Sequence, residues 1–352
     1  MVQDDKREII QLLLTLLSIP SPSGEEMPLL QWIETYLYNC DFKTYWQKVT
    51  DNRANLCAYR GHPQYLIATH VDTVPAWGHP YAFSPKIEGG KIWGRGAIDT
   101  KGQLAALLKA IKETDASCAI ALFIDEEEEG LGSEKYIPPF SFKGAVVLEP
   151  TNLSLAIAEA GNIEIYLKIK GKAAHGALFG RGKNAIEVFC DFYQRLKLLP
   201  DLQYSHSFFK YSGINIGRIK GGIDCQLVAE DCEAEIDIPV LPGNDLEKVW
   251  QEIKDLLNEF PLTWELKSFD APWEISPQEQ VVKRLVECIE AEMFVSFSGM
   301  NAWTDAANLF KKGIPSVVFG VGDLALAHTA DEHVDIEEVL KLSRILKRFL
   351  EV

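Results

Sequence analysis

YLIATH (65–70), CAIALFI (118–124), GAVVLE (144–149) and PSVVFG (315–320) decide the fold. Each is a short, almost continuous apolar run. Strands with one wet face alternate apolar and polar residues, whereas strands of a parallel sheet are covered on both faces and read as unbroken Val, Ile, Leu and Ala. Helical stretches such as LAALLKAIK (104–112) separate the runs. The expectation is an α/β fold with a mixed, largely parallel sheet and helices on both faces. Outward from it, apolar residues at helical spacing run from Arg7 to Leu17 and stop at Pro20 and SPSG. They return at 336, 339, 340, 342, 345, 346, 349 and 350, predicting an amphipathic closing helix.

Between the third and fourth runs the pattern changes. NIEIYLKIK (162–170) alternates strictly, with Ile163, Ile165, Leu167 and Ile169 on one face, and CEAEIDIPV (232–240) alternates as well. NAIEVFCDFYQRLKLL (184–199) between them has helical spacing. Alternation predicts an antiparallel sheet with one solvated face. Residues 162–270 are therefore expected to form an α+β insertion of the ferredoxin-like kind, which divides the α/β domain into 1–161 and 271–352.

A chain of 352 residues suits two such domains, and 47% hydrophobic residues are enough for a sizeable core. The formal net charge of -16 argues against nucleic acid, whose phosphates need clustered Lys and Arg. No apolar run reaches membrane-spanning length. The opening MVQDDKREII begins on acids and precedes no small-residue cleavage site, so no signal peptide is expected. Seven cysteines, an odd number without any C-x-x-C, read as the reduced thiols of a cytoplasmic protein.

Open α/β sheets bind ligands beyond the carboxyl ends of their strands. YLIAT ends on His70, CAIALFI on Asp125, Glu126 and Glu127, and GAVVL on Glu149; SVVFG leads through a glycine-containing loop to His328. Four buried strands thus deliver imidazole or carboxylate to one end of the sheet. Carboxylates gathered in this way repel one another unless cations neutralise them. Imidazole and carboxylate without cysteine suit Zn²⁺, Co²⁺ or Mn²⁺. The Gly-rich GRGAIDTKG is a weak nucleotide-loop candidate, because it lacks both G-x-G-x-x-G and a Lys-Ser or Lys-Thr after its last glycine.

ATHVDTVP (68–75), GGKIWGRGAIDTKG (89–102), FIDEEEEG (123–130), LEPT (148–151) and AHTADEHV (327–334) together resemble the M20 family of metallopeptidases and deacylases. The motifs fall in order over essentially the whole chain. The resemblance implies a two-zinc catalytic domain interrupted by a lid or dimerisation domain, and hydrolysis of an N-acyl amino acid, with a di- or exopeptidase as the alternative and a non-catalytic metal-binding protein as a third reading. Cobalt or manganese are the alternatives to zinc, and a homodimer through the lid is implied. By position, His70, Asp99, Glu127, Glu149 and His328 resemble the metal ligands, Asp99 as the bridge. Five ligands exceed the three of one catalytic zinc, which agrees with two ions. Asp72 resembles the acid that orients the His70 imidazole, and Glu126 the general base. A slip of one residue along Glu126–Glu129 stays open, as does His333 in place of His328. GKAAHGA (171–177) resembles a lid motif in which His175 stabilises an oxyanion. Two positions depart from the pattern: Gln226 stands where Asn is usual and Pro239 where Arg is usual. Pro cannot supply the guanidinium fork that grips a carboxylate, so Arg181 or Arg218 must take that duty or the substrate differs.

Overall fold

The structure is a computed structural model and describes residues 2–210 and 213–351. In chain order its strands are β1 (Lys43–Lys48), β2 (Ala54–Arg60), β3 (Tyr65–His70), β4 (Lys86–Glu88), β5 (Lys91–Trp93), β6 (Cys118–Phe123), β7 (Gly144–Val147), β8 (Leu155–Glu159), β9 (Gly161–Lys170), β10 (Asn215–Gly221), β11 (Asp231–Val240), β12 (Leu262–Asp270), β13 (Trp273–Glu274), β14 (Phe297–Met300), β15 (Ser316–Val318) and β16 (His333–Asp335). The helices are α1 (Val2–Ser18), α2 (Met27–Tyr38), α3 (Lys101–Lys112), α4 (Leu131–Glu134), α5 (Ala185–Leu196), α6 (Leu246–Asn258), α7 (Gln280–Glu290), α8 (Asp305–Lys311) and α9 (Ile336–Leu350). The chain divides into two compact units: 1–157, 275–300 and 304–352 form the first, and 158–274 with 301–303 the second.

The first unit is built on a sheet whose order runs β1-β2-β6-β3-β7-β15-β8. The four apolar runs form its parallel heart: β3 is parallel to β6 and β7, and β15 is parallel to β7. The flanking strands β1, β2 and β8 pair antiparallel. β6 is buried at all six positions, which is why its sequence does not alternate. α3 is buried from Lys101 to Ile111 and packs against α1 and α9. Cover on nearly all sides suits its Leu, Ala and Ile residues, and each fully buried Leu of α3 contributes about 1.5–3 kcal/mol. Its Lys109 ends among Asp5 (3.2 Å), Glu8 (3.3 Å) and Glu113, so this acidic trio has a lysine as its counter-ion.

The second unit runs β9-α5-β10-β11-α6-β12, with sheet order β10-β11-β9-β12 and every pair antiparallel. This is the ferredoxin-like arrangement. Ile163, Ile165, Leu167 and Ile169 of β9 and Ala234, Ile236, Ile238 and Val240 of β11 point to one buried face, covered by Phe189, Phe192 and Leu196 of α5 and Val249, Ile253 and Leu257 of α6. Both helices start on side-chain caps: Asn184 accepts from the N–H of Ile186 and Glu187, and Asp245 from those of Glu247 and Lys248. No helix among the described residues is long and apolar enough to cross a membrane.

Candidate metal centre

Each parallel strand of the first unit stops at one end of the sheet, and the chemistry follows from what comes next. β3 ends on His70 itself. Past β6 the chain turns at Asp125, a non-glycine residue with φ of 69°, and presents Glu126 and Glu127. β7 ends two residues before Glu149, and the chain after β15 reaches His328, whose φ is 64°. Left-handed backbone at such residues costs of order 1 kcal/mol or more and persists only where the surroundings hold it. Asp99 enters from the turn before α3, where Thr100 Oγ1 donates to the His70 carbonyl oxygen at 2.8 Å.

These residues meet. His70 Nε2 lies 3.0 Å from Asp99 Oδ1 and 3.6 Å from Glu149 Oε1. His328 Nε2 lies 3.2 Å from Asp99 Oδ2 and 2.9 Å from Glu127 Oε2. The result is two groups of three donors, His70–Asp99–Glu149 and Asp99–Glu127–His328, with Asp99 common to both. Glu149 Oε1 is buried and makes no hydrogen bond. Burial pushes the Glu149 carboxyl up to about 8, and burial together with the charge of Asp99 also raises Glu127. A buried acceptor without a donor, among carboxylates that resist ionising, lacks positive charge. The donor set, two imidazoles and three carboxylates without a thiol, fits divalent ions of the zinc type.

Asp72 organises the site from behind. It is fully buried, its main-chain carbonyl oxygen lies 3.0 Å from His70 Nδ1 and its Oδ1 3.4 Å from the same atom. A proton on Nδ1 leaves the Nε2 lone pair facing Asp99 and Glu149. The same carboxylate accepts from the N–H of Glu126 (3.2 Å), the N–H of Glu127 (3.1 Å) and the hydroxyl of Ser23 (2.8 Å). Burial alone raises the Asp72 carboxyl, but these donors and His70 hold it below the usual carboxylate range. Glu126 stands apart from both three-donor groups, with Oε2 3.9 Å from His70 Nε2. Burial, then the charges of Glu149, Asp305 and Glu127, push its carboxyl well above the ordinary value, with His70 opposing.

Glu128 and Glu129 are exposed and lie outside both groups. His333 lies outside them too: Lys91 Nζ donates to its Nε2 at 2.8 Å, and its Nδ1 faces the Asp331 carbonyl oxygen at 2.6 Å. His175 belongs to the second unit, is exposed, and accepts from the Ala177 N–H at Nδ1. His79 sits in a loop but is buried, with Nε2 2.9 Å from the Glu332 carbonyl oxygen. Buried charged residues that sequence reading passed over in this unit include Arg95, Glu332 and Asp305. Arg95 and Glu332 stand inside the quoted motifs GRGA and AHTADE, and Thr304-Asp305 is a helix-start signal, but burial of a charge leaves no mark on periodicity.

A parallel sheet with paired three-donor groups at its carboxyl end is the equipment of a metal-dependent hydrolase. Residues 66–352 match the profile of Peptidase family M20/M25/M40, and the chain belongs to that family of amide-hydrolysing enzymes. It is 29% identical to a protein named Probable carboxypeptidase from Aspergillus clavatus, over 94% of this chain and 86% of that one. It is 26% identical to the acetylornithine deacetylase of Myxococcus xanthus, over 92% of this chain and 91% of that one. In fold it resembles the crystal structure of a tripeptidase from Staphylococcus aureus, with a TM-score of 0.84, 19% identity and 98% of both chains covered.

Proposed function

We propose that this chain hydrolyses the amide bond of N-acyl amino acids, releasing the free amino acid. The observation that carries the reading is the pair of three-donor groups sharing Asp99, with the unattached carboxylate of Glu126 beside them. His70, Glu149 and Asp99 would hold one divalent ion, and Glu127, His328 and Asp99 a second. Zinc suits these donors, with cobalt and manganese as alternatives. The ions supply Lewis acidity and positive charge for the attacking water and the developing oxyanion.

The chain's own groups do the rest. Glu126 accepts the proton of the attacking water on its carboxylate and delivers it to the leaving amine nitrogen, a duty that suits a carboxyl with raised proton affinity. Asp72 holds the His70 ring and, through two backbone N–H groups, the turn that carries Glu126. In this reading the inserted residues 162–270 serve as a lid and as the surface of a cytoplasmic homodimer, and their His175 stabilises the oxyanion. Arg218 is paired with Glu235 at 3.0 Å, which favours Arg181, in the turn that follows His175, as the cation for the substrate carboxylate.

An exopeptidase is the second reading, favoured by the relative named as a carboxypeptidase. Hydrolysis of a panel of N-acyl amino acids and dipeptides, each with added Zn²⁺, Co²⁺ or Mn²⁺, tests both. Release of amino acid from N-acyl substrates supports the first reading and turnover of peptides alone the second. No turnover with any of the metals overturns both.

A further inference from the structure

The two three-donor groups are built differently. His70 ends a strand and Glu149 lies two residues past one, so the sheet itself fixes them. Glu127 and His328 stand on turns, and among the described residues no strand pairing holds His328, whose φ is 64°. A second device does.

Arg95 is 1% exposed and Glu332 is wholly buried, and the two form an ion pair between Nη1 and Oε2. The remaining donors of the guanidinium go to main-chain oxygens: Nη2 to His328 at 3.2 Å and to Ala76 at 3.3 Å, and Nε to Pro75 at 3.1 Å. The other oxygen of Glu332 accepts from the N–H of Ile98, the residue before Asp99, at 3.2 Å. Val74, beside the Pro75–Ala76 segment that Arg95 grips, donates its N–H to Glu127 Oε1 at 3.3 Å. Each member of the second group is thus tied to this pair: His328 through its carbonyl, Asp99 through its neighbour's N–H, Glu127 through Val74. Of the first group only Asp99 is.

We infer that the Arg95–Glu332 pair is the positioning device of the second group, so that without it the chain still binds an ion at His70–Asp99–Glu149 and loses the one at Asp99–Glu127–His328. The inference rests on the two-ion reading above. A lysine at 95 cannot replace the arginine, because one ammonium cannot span a carboxylate and three carbonyls in fixed directions. A partner of a ligand typically changes metal affinity by about 10–100-fold.

The test is metal titration of the full chain with Zn²⁺, followed by dialysis and metal analysis, for the wild type, Arg95→Lys, Glu332→Gln and the double variant Arg95→Met/Glu332→Gln. The double variant leaves no lone buried charge and keeps the measurement on folded protein. Leu108→Ala serves as a control that loses core packing without touching the pair. Expected are two ions in the wild type and control, and one in the pair variants, the second weakened by about 10–100-fold. Adding His328→Ala to the double variant then changes nothing, and adding Glu149→Ala releases the remaining ion. Two ions at wild-type affinity in the folded double variant, or equal weakening of both ions, overturns the inference. Fewer than two ions in the wild type overturns the two-ion reading itself, which separates the two failures.

Discussion

Asp72 faces His70 twice, with its main-chain oxygen 3.0 Å and its carboxylate 3.4 Å from Nδ1. The same carboxylate takes the N–H groups of Glu126 and Glu127. One buried acid therefore aims a ligand and the turn that carries the base. Asp72→Ala is expected to lower metal affinity by about 10–100-fold and to lower kcat as well. Metal titration and steady-state kinetics at saturating metal check this. Full recovery of kcat by excess metal would limit Asp72 to the histidine and remove its role on the turn.

Glu126 is a largely buried carboxylate that faces His70 and joins neither three-donor group. Glu126→Gln keeps its shape and removes the proton acceptor. Turnover is expected to fall by about 10²–10⁴-fold with metal content unchanged. Single-turnover rates alongside metal analysis decide it. Substantial turnover with both ions bound would exclude Glu126 as the base, and loss of an ion would make it a ligand instead.

Protons and cations compete for this cluster, which fixes how stability depends on pH. Burial pushes Glu149 up to about 8 from an ordinary 4.5. Hydrogen bonds that the His328 ring donates to Asp99 and Glu127 hold it up to about 10, and the surrounding carboxylates, against the effect of burial, hold His70 well above 6.5. A group with a raised folded-state pKa gives stability that is present below its unfolded value and lost as pH rises through the folded one. For Glu149 that window runs from about 4.5 to about 8, and the histidines add to the loss above 6.5. The shift of Asp99 is downward and acts below 3.8, outside this window. Chelated protein is therefore expected to lose thermal stability between about pH 5 and pH 8, and the Tm gained on adding Zn²⁺ should widen over the same range. A gain that stays constant or shrinks with pH would contradict this.

How much of this was legible in the sequence depends on the kind of information. The unbroken runs that became β3, β6, β7 and β15 were readable because burial on both faces writes itself as continuous Val, Ile, Leu and Ala. The alternation of β9 and β11 was readable for the converse reason. The strand ends pointed to His70, to Glu149 and to Asp125, Glu126 and Glu127 without dividing them, and the loop after the fourth run pointed to His328; only the resemblance separated Glu126 from Glu127. Asp99 did not follow in this way: it lies before α3 in a turn, and only the motif pointed to it. Arg95 and Glu332 were invisible for a deeper reason. They stand 237 positions apart, and their pairing is a property of how two loops meet, not of any local pattern.

Asp99 is the one residue common to both three-donor groups, with Oδ1 toward His70 and Oδ2 toward His328. Removing a ligand that belongs to one group weakens one ion, whereas removing the shared ligand strips a donor from both and also the charge that two nearby cations need between them. Asp99→Ala is therefore expected to abolish binding of both ions in the micromolar range, while Glu149→Ala and His328→Ala each keep one. Metal analysis after dialysis, with circular dichroism to show that each variant is folded, separates the cases. If folded Asp99→Ala retained one tightly held ion, the two groups would be independent sites and Asp99 a ligand of only one of them.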